Sequence, residues 1–198
     1  MKRLVLASGN AGKVAELQEL LGDSGFSLHA QSEFGVADAD ETGSTFVENA
    51  LLKARHAARL TGLPALGDDS GLCVDALHGA PGLYSARYGG VHGDATRNVA
   101  RLLEELRAVP SQARGAEFYC VLVVLRDAED PQPLIAEGRW RGCILDAPRG
   151  DRGFGYDPVF FDPDNACSAA ELDPAIKNLI SHRGRALAAL KQRLAAFV

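Results

Sequence analysis

The chain has 198 residues, 46% of them hydrophobic, enough for one sizeable core but cramped for two independent domains, so a single domain over 1–198 with room for two lobes is expected. Its formal net charge of -5 excludes a general nucleic-acid binder, because binding along a phosphate backbone is driven by excess Lys and Arg. No stretch approaches membrane-spanning length, the start MKRLVLAS has only Leu4 to Ala7 as an apolar run, too short for a signal-peptide core, and Cys73, Cys120, Cys143 and Cys167 stand far apart with no CxxC or Cys/His cluster, which argues against zinc and for reduced thiols in the cytoplasm.

In chain order, RLVLA at 3–7 is an apolar run of strand length that breaks at Ser8-Gly9-Asn10 into a helical pattern carrying Val14, Leu17, Leu20 and Leu21 on one face. A second strand is predicted over 26–31, and the acidic, glycine-containing GVADADETGS at 35–44 reads as loop. Thr45 followed by Glu48 fits a capping box, which opens a helix over about 45–61 with Phe46, Ala50, Leu51, Ala54 and Ala58 on its apolar face. PALGDDSGLCVDAL at 64–77 reads as a strand ending at Asp68-Asp69, a turn at Ser70-Gly71 and a second short strand. The glycine-rich GAPGLYSARYGGVHGD at 79–94 is expected as an ordered loop before a helix over 95–108 that turns Val99, Leu102, Leu103 and Leu106 inward. EFYCVLVVLR at 117–126 is a strand by its β-branched and aromatic content, PLIAEGRW at 133–140 and RGCILD at 141–146 read as antiparallel neighbours, and a last helix over 183–197 is built on Ala186, Leu187, Leu190 and Leu194. Strands and helices intermix without strict alternation, which implies an α/β fold with a mixed sheet flanked by helices.

Several segments carry residues suited to chemistry. SGNAGK at 8–13 joins a strand end to a helix start, where backbone N–H groups and the helix dipole favour an anion and Lys13 adds a mobile positive charge. It is not a Walker A loop: only two residues separate Gly9 from Gly12, and Val14 follows the lysine. The pair Asp68-Asp69 suits a hard cation that prefers oxygen ligands and is shared with substrate phosphates. Successive strand residues point to opposite faces, so both carboxylates reach one ion only if the strand is already turning; otherwise one ligates and the other positions it, and an Asp-Asp-Ser-Gly turn capped by its own side chains is the purely structural alternative.

Glu41, in the acidic loop, matters only as a third carboxylate, and Lys53 sits on a helix side of small or polar residues that faces either a cleft or solvent. RGFGYDPVF at 152–160 sets Phe154 and Tyr156 among glycines ahead of Asp157-Pro158, an arrangement that stacks a ring on a flat ligand while backbone amides read its edge, or else a glycine-kinked strand with core aromatics. KNLISHRGRAL at 177–187 gathers Lys177, His182 and Arg183, three cationic side chains suited to phosphate and keto oxygens.

Taken in order, SGNAGK, TFVENALLKA, DDSGL, PGLYSARY, GFGYDP and SHRGRAL closely resemble the inosine triphosphate pyrophosphatase family, also called Ham1-like, from Leu6 to about Leu190. The resemblance implies an elongated mixed sheet, two lobes with a central active-site cleft, a homodimer, and hydrolysis of non-standard purine nucleoside triphosphates to the monophosphate and pyrophosphate with Mg2+. It further implies that Ser8, Gly9, Asn10, Ala11, Gly12 and Lys13 bind the triphosphate end together with Lys53, and that Asp69 is the catalytic base and a metal ligand. Glu41 and Asp68 would lie near the metal and Ser70 would touch substrate. Phe154, Gly155, Tyr156, Asp157, Lys177, His182 and Arg183 would hold the base and adjoining groups. Ala175-Ile176 departs from the acidic residues usual before Lys177, which puts the holding of that loop in question. Two rival readings remain open, a Maf-like pyrophosphatase acting on modified pyrimidine or methylated nucleotides and a nucleotide-binding protein without turnover.

Overall fold

The computed structural model describes residues 2–9, 11–22 and 25–197, with backbone alone at Ala11, Ala15, Glu16 and Leu20. Strands β1 (Lys2–Ala7), β2 (Phe26–Ala30), β3 (Ala65–Val74), β4 (Gly115–Leu125), β5 (Leu134–Ile144), β6 (Phe160–Asp162) and β7 (Cys167–Ser168) form one sheet in the order β2-β1-β3-β4-β5-β6-β7. Helices α1 (Ala11–Leu21), α2 (Phe46–Thr61), α3 (Ala95–Glu105), α4 (Pro174–Ile180) and α5 (His182–Phe197) flank it. β1 is parallel to both β2 and β3, pairings that need a crossover supplied by α1 and then α2, whereas β6 is antiparallel to β5 and β7. The sheet is therefore mixed, as the sequence implied.

The chain divides into two compact units. The first holds Met1–Asp69, Cys120–Gly138 and Arg183–Val198. Here the two-residue period of the strands sorts side chains between two layers. Leu4 and Leu6 of β1, Leu66 of β3, Cys120, Leu122 and Val124 of β4, and Leu134 and Ala136 of β5 pack with Leu17 and Leu21 of α1 and Ala186, Leu187, Leu190 and Leu194 of α5. The intervening Val5, Ala7 and Ala65 turn instead to Ala57 and Ala58 of α2. Gly67 keeps that second layer thin, since a Cβ there would lie 2.1 Å from the Ala50 carbonyl oxygen, so only glycine lets α2 come this close to β3.

The second unit, Ser70–Tyr119 and Arg139–His182, builds its own core from Leu72 and Val74, Ala116 and Phe118, Trp140 and Ile144, and Leu102 and Leu106, with Tyr156, Val159 and Phe160 beside them. Val99 and Leu103 lie partly buried against this core, as their helical spacing required. The loop at 79–94 is ordered, with a 3-10 turn over Gly82–Arg87 and Asp94 capping α3 through the Arg97 N–H.

One expected turn is absent, and two expected strands are one. Ala65–Val74 is one continuous strand through Ser70-Gly71, running on past the end of its register with β1 at Gly67, so its place in the sheet beside β4 outweighs a local Ser-Gly turn signal. Leu134–Ile144 is likewise one strand, not two antiparallel neighbours, and lies between β4 and β6. α4, capped by Asp173 with Pro174 at its start, was not anticipated. Among the described residues no helix is long and apolar enough to cross a membrane.

Candidate active site

The alternation along β3 decides what each acidic residue meets. Gly67 and Asp69 face α2, while Leu66 and Asp68 face the layer of α1 and α5. α2 is set by its start: the Thr45 hydroxyl accepts from the Glu48 N–H, and the Glu48 carboxylate returns to the Ser44 N–H and the Thr45 hydroxyl, a cap typically worth about 1 kcal/mol. One turn in, buried Asn49 accepts from the Gly43 N–H at 2.8 Å and donates to Asp69 Oδ2 at 3.4 Å. One turn further, Lys53 Nζ lies 2.7 Å from Asp69 Oδ1, 2.7 Å from Glu41 Oε1 and 3.0 Å from the Asp68 carbonyl oxygen. Lys53 thus faces the acidic residues, not solvent.

Burial raises the Asp69 carboxyl above the ordinary carboxylate range, and the opposing charge of Lys53 and then Lys13 does not cancel it. Burial alone would lower the Lys53 ammonium, but the charge and hydrogen bond of Asp69, followed by Glu41, outweigh it and leave Lys53 above the usual lysine range. Asp68 has the opposite balance. Its burial also favours the neutral form, yet Lys13 and then Arg183 outweigh that, so its carboxyl lies well below the usual range. Lys13 Nζ pairs with Asp68 Oδ1, while Arg183 Nε at 3.4 Å and the Cys120 thiol at 3.3 Å share Oδ2. Because β3 does not turn, the two carboxylates stay on opposite faces, and the hydrogen bond from the Lys53 ammonium reaches the Asp68 backbone carbonyl.

The loop at 8–13 does join the end of β1 to α1. Ser8 is half-buried, Gly9 and Gly12 are exposed, and Asn10 lies outside the described residues. The Asp38 carboxylate rests against Gly9, where a Cβ would come within 2.4 Å of Oδ2, and buried Gln31 donates to Asp38 Oδ1. Among the described residues no three His, Cys, Asp or Glu side chains gather into a ready metal cage.

In the second unit, Ser70 is half-buried on β3. Gly153 and Gly155 adopt positive φ of 74° and 62°, turning the backbone so that Asp157 Oδ2 accepts from the Phe154 N–H at 2.7 Å and from Lys177 Nζ at 2.6 Å. Lys177 also sits 5.2 Å from the centre of the Phe154 ring, which is 44% exposed and open to a flat ligand. Tyr156 differs from its neighbour. It is 4% exposed, packs in the core and donates its hydroxyl to the Ser85 carbonyl, so its ring is structural and only its backbone faces the turn. His182 is buried and stacks on Phe118, with ring centres 4.7 Å apart and planes 10° from parallel.

The Ham1 family profile matches residues 4–193. The chain belongs to the Ham1 family. Among sequenced relatives, the dITP/XTP pyrophosphatase of Xanthomonas campestris pv. campestris is 62% identical over 99% of this chain and 98% of its own length, and that of Vibrio cholerae is 56% identical over 94% of each. Among solved structures, a HAM1 protein from Coxiella burnetii superposes with a TM-score of 0.92 at 52% identity, covering 99% of this chain and all of the other. The Staphylococcus aureus Ham1 protein gives 0.87 at 37% identity over 98% and 99%.

Four residues that meet the candidate residues were missed in the sequence, Asn49, Asp38 and Cys120 in the first unit and Ser85 in the second. Asn49 had a usable signal, one turn before Lys53 on the same helical side. Ser85 had none, since it accepts from the Leu72 N–H while its carbonyl takes the Tyr156 hydroxyl 71 residues away.

Proposed function

We propose that this chain hydrolyses non-standard purine nucleoside triphosphates, those of inosine, deoxyinosine and xanthosine, to the monophosphate and pyrophosphate, and so removes them from the nucleotide pool. The observation that carries the reading is the convergence of Asp69 Oδ1, Glu41 Oε1 and the Asp68 carbonyl on one cationic point, 2.7, 2.7 and 3.0 Å from Lys53 Nζ. The names of close relatives, dITP/XTP pyrophosphatases at 54–62% identity, support the substrate class.

An all-oxygen set around a point already occupied by an ammonium fits a hard divalent cation, and two carboxylates with no protein cage fit magnesium, which keeps waters and binds substrate phosphates. Asp69 and Glu41 are the residues that would hold it. When bound, magnesium supplies neutralisation of phosphate charge and a more acidic water. Asp69, lifted by burial above the range of free aspartate, takes the proton of the water that attacks the α-phosphorus. Lys53 and Lys13, with the N–H groups at the head of α1, stabilise the departing pyrophosphate electrostatically.

Phe154 stacks on the base, and the backbone of the 154–157 turn with Arg183 supplies donors to a 6-oxo group, with Lys177 and His182 flanking. Adenine would set its 6-amino group against a donor, a mismatch of about 1–3 kcal/mol, or roughly ten- to two-hundredfold. A homodimer and a cytoplasmic location belong to the same reading, and sedimentation checks the first.

A turnover panel with phosphate and pyrophosphate measured separately tests it. Inosine, deoxyinosine and xanthosine triphosphates should release pyrophosphate at least about tenfold faster than adenosine and guanosine triphosphates. Fast release from thymidine or methylated substrates with little from inosine would overturn it in favour of the Maf-like reading. Tight binding without turnover in magnesium would overturn it in favour of a binding protein.

A further inference from the structure

The reaction just described leaves Asp68 without a task, although it is among the most deeply buried charged groups of the first unit, 2% exposed. Its position on β3 bars its carboxylate from the face where Asp69, Glu41 and Lys53 meet. Its two oxygens are divided between residues from distant parts of the chain: Oδ1 goes to Lys13 on α1, and Oδ2 to Arg183 on α5. A carboxylate is a rigid planar group, so whatever draws one oxygen moves the other. The Cys120 thiol, fully buried on β4, donates to Oδ2 beside Arg183 and restricts that rotation. Burial, reinforced by the Asp68 charge, keeps this thiol protonated and therefore a donor.

We propose that Asp68 is a positioning residue that couples Lys13, at the phosphate end of the substrate, to Arg183, at the base end, with the Cys120 thiol holding the carboxylate at a fixed rotation. The purine preference then depends in part on a lysine that never touches the base. The inference rests on the functional reading above for the assignment of the two ends, and on the geometry of Asp68 for their linkage. Lys53 is an internal control: it is assigned to the same phosphate end but hydrogen-bonds the Asp68 backbone carbonyl and acts on the carboxylate through space less than Lys13 and Arg183 do.

The test compares the inosine to adenosine triphosphate ratio of kcat/KM in Lys13→Ala and Lys53→Ala, with affinity for inosine, which carries no phosphate, measured calorimetrically in the same variants. Lys13→Ala should change the ratio and weaken inosine binding by at least about threefold, while Lys53→Ala lowers kcat and leaves both within about twofold. In an Asp68→Asn background the Lys13→Ala effect on both should vanish. Cys120→Ala should shift the ratio in the same direction by about twofold, and Cys120→Ser, which keeps a donor, should restore it. That pair decides the matter if Asp68→Asn does not fold. An inosine affinity unmoved in Lys13→Ala, or moved equally in Lys53→Ala, overturns the coupling. Absence of any purine preference in the unaltered protein defeats the functional reading instead, and the inosine affinities still judge the coupling.

Discussion

On one face of β3 Asp68 meets Lys13, Arg183 and the Cys120 thiol; one residue on, the other face carries Asp69 to Asn49 and to a lysine it shares with Glu41. The two residues are chemically identical, adjacent and both buried, yet their carboxyls are displaced in opposite directions from the ordinary value. What differs is the count of cations against acids around each. Asp68 has Lys13 and Arg183 on its two oxygens with Lys53 adding a smaller charge, which outweighs its burial, whereas Asp69 shares Lys53 with Glu41 and feels Lys13 less, so burial stays dominant. The first arrangement suits a fixed anchor and the second a proton acceptor.

The largest effect expected from breaking this contrast is catalytic. Asp69→Asn removes the acceptor and an oxygen charge at the cationic point, so turnover should fall by about 10² to 10⁴ in single-turnover assays. The thermal midpoint should stay near that of the unaltered protein, because an amide keeps the size of the side chain and can still meet Asn49 and Lys53. Near-normal turnover in a folded variant would remove Asp69 from its role.

The neighbouring substitution should show the reverse emphasis. Asp68→Asn leaves Lys13 and the buried Arg183 without their counter-charge, and breaking a buried pair in this way costs about 3–5 kcal/mol. Chemical denaturation should therefore register Asp68→Asn as much more destabilising than Asp69→Asn. The magnesium concentration for half-maximal rate should be unchanged in Asp68→Asn and, where activity remains measurable, raised in Asp69→Asn. Equal destabilisation by the two variants would erase the distinction between anchor and acceptor.

How much of this contrast could be read in advance follows from which forces are local. The Thr45 cap, the helix it opens, the strand at 115–125 and the final helix all obey short-range rules of capping and periodicity, and the structure has them within a few residues of expectation. The continuation of β3 past Asp69 does not, because the strand runs on within the sheet beyond its register with β1, which ends at Gly67, and overrides the Ser70-Gly71 turn signal. That single non-local fact decides that the acidic pair divides between faces. The separation of Phe154 from Tyr156 has the same origin: two aromatics in one glycine-rich turn look equivalent until Ser85 claims the Tyr156 hydroxyl. Lys53 shows the converse, since its helical side was known but the identity of what lay opposite was not.

A third carboxylate, with no part in the proposed chemistry, gives the smallest and cleanest comparison. Asp130, between β4 and β5, is buried and accepts from the Arg126 backbone N–H, from Arg126 Nε and NH2, and from the Gln132 N–H. The Arg126 side chain, despite some opposition from burial, holds the Asp130 carboxyl well below the usual carboxylate range. Like Asp68 it is an anchor, but its guanidinium partner is 45% exposed and screened by water, so its loss is tolerable. A depressed folded value means the unfolded chain takes up the proton first as pH falls. The stabilisation is complete above the unfolded value of about 3.9 and fades progressively below it. Asp130→Asn should lower the thermal midpoint by about 4 °C at neutral pH, and the gap to the unaltered protein should narrow as pH falls below about 4. Turnover of inosine triphosphate should be unaffected at neutral pH. A gap that stays constant with pH would mean that Asp130 stabilises its turn by shape and hydrogen bonding alone, and that the depressed carboxyl at Asp68 needs a reason beyond its two cationic partners.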